Sequence, residues 1–110
     1  MNASTTEPTG IDLHPARLTT EARARLEKRL RATFRNFDRD YVTDAARGDL
    51  DYGVWLASVD ARLRYRIGFP RAVLADRDWR SDYDAGTCPV AAAEAALTAE
   101  FGHLKVPTRN

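Results

Sequence analysis

The sequence predicts an all-α protein, a small orthogonal bundle of two longer and two short helices. Three observations predict it. Apolar residues recur at steps of three and four along residues 18–46 and again along 52–67, the spacing that puts side chains on one face of a helix. Residues 91–97 are mostly alanine, the strongest helix former. No segment alternates apolar and polar side chains over a strand's length, and the best attempt, Val42 to Ala45, lies inside a helical pattern.

Residues 1–17 are polar, carry Pro8, Gly10 and Pro15, and have no periodicity, so they are expected to form a disordered leader. A single helical domain is expected at 18–102 and a C-terminal tail at 103–110. The first helix is predicted from about Thr20 to Ala46, capped by Thr19 or Thr20, with Glu21 in its first turn facing the positive end of the helix dipole. Leu18, Ala22, Leu26, Leu30, Thr33, Phe34, Phe37, Tyr41 and Ala45 fall on one half of it. Because 27 residues is long for a globular helix, a kink or break near Phe37–Asp40 is expected. A second helix is predicted to start after Asp49 or Asp51, with Tyr52, Trp55, Leu56, Val59, Leu63 and Ile67 as its apolar stripe. Gly68 ends it, and Phe69-Pro70 cannot continue it. A short turn at Ala72–Leu74 leads to a short helix capped by Asp76 or Asp78 and closed by Gly86. Pro89 then opens the last helix, whose alanine face allows close approach to the second. The glycines, Gly53 included, are read mainly as helix stops. Trp55, Trp79, Tyr83 and Phe69 are read as mostly core, and any of them that is exposed becomes the favoured anchor of an interface.

Composition narrows the function classes. The 110 residues are 44% hydrophobic and 30% charged, the profile of a globular domain and not of a collagen-like or disulfide-stapled chain. Cys88 is the single cysteine, so no intramolecular disulfide forms and a reducing compartment is expected. Met1 to Gly10 has neither the basic start nor the apolar run of a secretory signal, and no stretch is long and apolar enough to span a bilayer. The expected location is therefore cytoplasmic, without membrane contact.

A formal net charge of +1 conceals a dipolar layout. From Arg17 to Arg35 the local net is +5, and from Asp76 to Glu100 it is −4. Arg25, Lys28, Arg31, Arg35 and Arg39 follow one another at steps of three, three, four and four, a basic stripe opposite the apolar arc of the first helix. Such a row suits the carboxylates of an acidic protein or the phosphates of nucleic acid. Asp78, Asp82 and Asp84 form an acidic patch, a second candidate partner-binding surface. With Asp76 they lack the alternating oxygen ligands and the twelfth-position Glu of a calcium loop, and no metal is expected. Cys88 at a helix start has the dipole environment of a reactive thiol, but the only candidate bases, His14 and His103, lie toward the two ends of the chain. It is read as a cap residue. No phosphate loop, nucleophile elbow or catalytic triad is present in the sequence. The expectation is a protein that is not an enzyme and carries no cofactor.

Residues 55–97 carry one recognisable string: Trp55-Leu56, Val59-Asp60, Leu63, Gly68-Phe69, Leu74, Asp76, Trp79-Arg80, Tyr83-Asp84, Gly86, Pro89 and Ala92-Ala93. This segment resembles a pattern found in small uncharacterised proteins encoded by phages and other mobile elements, departing from it at Cys88, where a serine usually precedes the proline. The resemblance covers under half of the chain and implies a small helical accessory protein acting by binding. A non-enzymatic protein that binds and modulates a host or element protein is the expected function, an anti-defence inhibitor of anti-CRISPR type being one example. The alternative is a small nucleic-acid-binding regulator that uses the basic face of the first helix. A homodimer through the wide apolar half of that helix is a further expectation.

Overall fold

A computed structural model describes residues 11–74 and 77–102. The described residues are helical and contain no strand, so the fold is all-α. Its organising element is not the first helix but the second.

The first α-helix, α1, spans Thr20–Thr33, with the Thr19 side chain accepting a hydrogen bond from the Ala22 N–H. Its inner face buries Leu26 and Leu30. The helix expected to run on to Ala46 stops at Phe34, whose backbone is extended at φ −112° and ψ 106°. A π-helix then covers Asp38–Ala45. Geometry gives the reason for the break. A straight helix of that predicted length would extend about 40 Å at 1.5 Å per residue, against about 27 Å for the 18-residue helix it packs on. Turning the chain keeps Phe34, Phe37 and Tyr41 all buried. The π-helix also shifts the register. The Ala46 N–H reaches back five residues to the Tyr41 carbonyl, and Ala46 is buried where Ala45 was expected.

Arg47 and Gly48, at φ +53° and +92°, turn the chain into α2, Leu50–Ile67, which is capped by Asp49 through the Tyr52 N–H. Every residue from Tyr52 to Ala61 is buried. This helix has no solvent face over three turns, because α1, the π-helix and the last helix each pack on it. The predicted single stripe was therefore too narrow. Gly53 is a packing residue and not a stop: a Cβ there would lie 3.0 Å from the Tyr41 carbonyl oxygen and 3.1 Å from Val42 Cα. Gly68, at φ +82°, ends α2 as predicted.

A 3-10 turn at Arg71–Val73 precedes α3, Trp79–Asp84, capped by Asp78, and then α4, Pro89–Phe101. At 13 residues α4 is nearly as long as α1. Ala92, Ala93, Ala96 and Leu97 form its buried face, and α4 packs on α2. Cys88 caps α4, its Sγ accepting from the Ala91 N–H at 3.4 Å. Trp55 is fully buried among Tyr52, Trp79 and Tyr83, and its Nε1 donates to the Thr87 carbonyl at 2.8 Å.

The expected leader needs correction. Residues 1–10 lie outside the described residues, as does the expected tail at 103–110. Residues 11–17 are part of the fold. Ile11 is 2% exposed, and its carbonyl accepts from the Val90 N–H at 3.2 Å. His14 is buried, caps a 3-10 turn at Pro15–Arg17 and packs on the Tyr83 ring with centroids 4.7 Å apart. A segment this short shows no periodicity, so its burial is set by its neighbours.

Candidate functional site

The five residues of the predicted basic stripe are all exposed, but they differ in how their charge is met. Arg31 bonds Glu27 and, through two nitrogens, Asp38 at 2.9 and 3.3 Å. Those hydrogen bonds hold the Asp38 carboxyl below its usual range and raise the Arg31 guanidinium. Arg39 pairs with its neighbour Asp40 at 3.2 Å. Among the described residues, Arg25, Lys28 and Arg35 have no carboxylate within ion-pair distance, and neither does the adjacent Arg29. The first helix thus keeps a cationic outer face in Arg25, Lys28 and Arg29, while Arg31 near its end and Arg39 on the π-helix are paired with carboxylates.

The acidic patch is committed internally. Asp82 pairs with Arg77 at 2.9 Å and Asp84 with Arg80 at 3.1 Å. Asp78 accepts from the Ser81 N–H and hydroxyl, and these bonds lower its carboxyl below the usual range. Its three carboxylates are capping and pairing groups of α3 and the two residues before it.

Where α1 breaks, the surface is hollowed. A cavity of about 430 Å³ lies between the chain after α1, the π-helix, α2 and the Arg71 turn. Three arginines line it from three separate segments: Arg35 after α1, Arg64 on α2 and Arg71 in the turn. Thr33 and Asn36 add neutral polar groups, Phe34 and Tyr41 supply aromatic rings, and Asp40 is the single lining carboxylate. A second hollow of about 350 Å³ adjoins it and shares Phe34, Arg35 and Asn36 while adding Arg31 and Arg39. The basic stripe therefore ends in a groove, which periodicity on a straight helix does not reveal.

The groove wall is braced from below. Asp60, 3% exposed, accepts from the Tyr41 hydroxyl at 2.6 Å on Oδ2. Its Oδ1 accepts from both the backbone N–H and the Nε of Arg71, each at 2.9 Å. A buried carboxylate is tolerated because both oxygens are satisfied and one partner is cationic. Burial, reinforced by the adjacent Asp60 carboxylate, pushes the Tyr41 hydroxyl well above its usual range, so it remains a donor. Arg64 lies over the Phe34 ring with its guanidinium carbon 5.3 Å from the centroid, a cation–π arrangement.

None of Asp60, Arg64 or Arg71 was singled out as a site residue from the sequence. Asp60 did leave a signal, being the only charge in the run from Tyr52 to Ala61. The arginines left none, because fifteen arginines are spread along the chain.

Cys88 and His14 do other work. The Cys88 sulfur is a cap acceptor, and the two ring nitrogens of His14 contact the Ala16 N–H at 3.1 Å and the Tyr83 carbonyl at 3.0 Å. His103 lies outside the described residues. Among the described residues no three His, Cys, Asp or Glu side chains converge on a metal position, and no helix is long and apolar enough to cross a membrane.

Two exposed apolar residues flank Arg71 in sequence, Phe69 and Val73, each 57% exposed. Phe69 is the exposed member of the four aromatics read as mostly core. It follows the left-handed turn at Gly68, which directs the chain off the end of α2.

Fold and site together define an all-α protein with a cationic helix face that runs into an arginine-lined groove. No known protein family, curated protein or solved structure matches the chain.

Proposed function

We propose that this is a non-enzymatic binding protein that docks the basic outer face of α1 on an acidic surface of a partner protein and thereby modulates that partner. One observation carries the reading: Asp82 and Asp84 of the acidic patch pair with Arg77 and Arg80 and Asp78 caps α3, while Arg25, Lys28 and Arg29 on the exposed face of α1 have no carboxylate partner among the described residues. Unpaired charge steers association and selects a partner of opposite sign. The capping role of Cys88 and the engaged nitrogens of His14 weigh against a thiol enzyme. A single cysteine is in keeping with a reducing, cytoplasmic setting. The likeness of residues 55–97 to small phage and mobile-element proteins supports a host or element protein as the partner, as for an anti-defence inhibitor.

Affinity capture from the natural host tests it. The wild-type chain is expected to retain one stoichiometric protein, and the triple variant Arg25→Glu, Lys28→Glu, Arg29→Glu none. Capture of nuclease-sensitive material alone would transfer the face to nucleic acid, where each lost phosphate contact lowers the salt slope by about one unit. Capture unchanged in the triple variant would refute the basic face as the docking surface.

A further inference from the structure

We infer that the ion-pair bridge of Glu27, Arg31 and Asp38 sets the specificity of the basic face of α1, leaving it a compact docking site for an acidic protein and closing it to the longer phosphate row of a nucleic acid. The inference rests on that face being the docking surface. Arg25, Lys28, Arg31 and Arg35 follow one another at steps of three, three and four, and a row of free cations that long attracts a nucleic-acid backbone. Arg31 is the member of this row that the fold takes out of use. Its guanidinium bonds Glu27 at 3.2 Å and Asp38 at 2.9 and 3.3 Å, and its central carbon lies 5.0 Å from the centroid of the Phe37 ring. Lys28 and Arg35 have no carboxylate partner among the described residues, so the row is interrupted between them.

Stability is a weak reason for the bridge. The Arg31 and Asp38 side chains are 43% and 68% exposed, and ion pairs open to water contribute little to folding. The geometry is nevertheless two-pronged, Nε to Oδ2 and Nη2 to Oδ1, which confines the guanidinium better than a single contact does. Glu27 also takes Arg23 at 3.1 Å, and Arg23 reaches Asp51 on α2. Three carboxylates therefore hold two arginines along this flank of α1. The flank is left with an excess of negative charge, which repels phosphates where the cationic row would continue.

What remains free on the helix is short. Arg25, Lys28 and Arg29 lie within about 6 Å of one another along the axis, at 1.5 Å per residue. At 3.6 residues per turn they centre about 150° round α1 from Arg23, Glu27 and Arg31, so the paired flank and the free one face apart. A cluster of that size matches a few carboxylates gathered on a protein surface. Affinity for a nucleic acid instead grows with each phosphate neutralised, and three cations within one turn of helix neutralise few.

Fluorescence anisotropy of the full-length protein with a short DNA duplex, between about 50 and 200 mM salt, tests the bridge. It needs no protein partner, so its outcome is separate from that of affinity capture. Wild type is expected to bind the duplex weakly. The bridge variant Glu27→Gln, Asp38→Asn releases Arg31 and is expected to bind about tenfold tighter at the lower salt, with a salt slope steeper by about one unit. Asp38→Asn alone, the milder surface change, is expected to give part of that gain. The control Asp12→Asn, Asp44→Asn makes the same change in net charge at exposed carboxylates without an ion-pair partner among the described residues. It is expected to stay within about threefold of wild type, since distant exposed charges are largely screened. Arg31→Gln is expected to change binding by less than about twofold in wild type, yet to reverse the gain in the bridge variant, the signature of two coupled sites. Wild type binding as tightly as the bridge variant, a gain matched by the control, or an equal effect of Arg31→Gln in both backgrounds would overturn the bridge as the specificity element. Failure of the wild-type chain to capture a protein, with these DNA results intact, would refute the docking reading and not the bridge.

Discussion

Gly53 stands where a helix would ordinarily prefer alanine, and contact decides the choice. Alanine at this position gains about 1 kcal/mol of helix propensity. Its Cβ, however, would press on the Tyr41 carbonyl at 3.0 Å and on Val42, backbone and side chain together. Overpacking of this kind costs about 1–3 kcal/mol. Gly53→Ala is therefore expected to lower the thermal midpoint by several degrees, and an unchanged midpoint would mean the π-helix yields freely. Tyr41 makes a second residue-scale case. Its hydroxyl is one of the donors that allow Asp60 to be buried as a carboxylate. Tyr41→Phe leaves Oδ2 of Asp60 without that donor, an expected loss of about 1.5–3 kcal/mol in denaturant unfolding. A loss below about 0.5 kcal/mol would mean Asp60 does not depend on it.

At the scale of elements, the caps were legible and the path between them was not. Thr19, Asp49 and Asp78 cap the helices for which they were candidates, and Pro89 opens α4, because a cap is a contract between residues three apart. The break at Phe34 has no such local marker. It contains neither Pro nor Gly, and it arises because the chain must turn to keep three aromatic residues on α2. An ion-pair clamp between α2 and α4 belongs to the same scale: Glu94 on α4 accepts from Arg62 Nε at 2.9 Å and from Arg66, both on α2. Burial alone would raise the Glu94 carboxyl, but hydrogen bonds from Arg66 and Arg62 outweigh it and hold the group below its usual range. A depressed carboxylate contributes stability that is complete above its unfolded value, near 4.5, and is lost as pH falls through the lower folded value. Wild type is thus expected to lose more stability than Glu94→Gln between pH 5 and pH 3, by up to about 1 kcal/mol for a partly exposed pair. Parallel pH curves would contradict the clamp.

For the whole molecule the decisive fact is that α2 is enclosed from Tyr52 to Ala61. A chain of 110 residues achieves this only by recruiting short pieces, among them the segment that begins at Ile11. Ile11→Ala is expected to cost about 2–4 kcal/mol, with the urea midpoint lowered and the slope of the transition unchanged, as for a core residue. A loss under about 0.5 kcal/mol would return residues 11–17 to the periphery. The homodimer expected from the first helix loses its motive at this scale as well, since Leu26 and Leu30 are buried within the chain.

The helical class, most helix ends and the basic outer face of α1 were determined by the sequence alone, because each depends on residues within one or two turns of each other. Asp60 under Arg71, His14 against Tyr83, and three arginines around one groove were decided only by tertiary structure. Those partners are separated by 11, 69 and as many as 36 positions, and nothing in local spacing encodes which distant side chains a central helix will draw together.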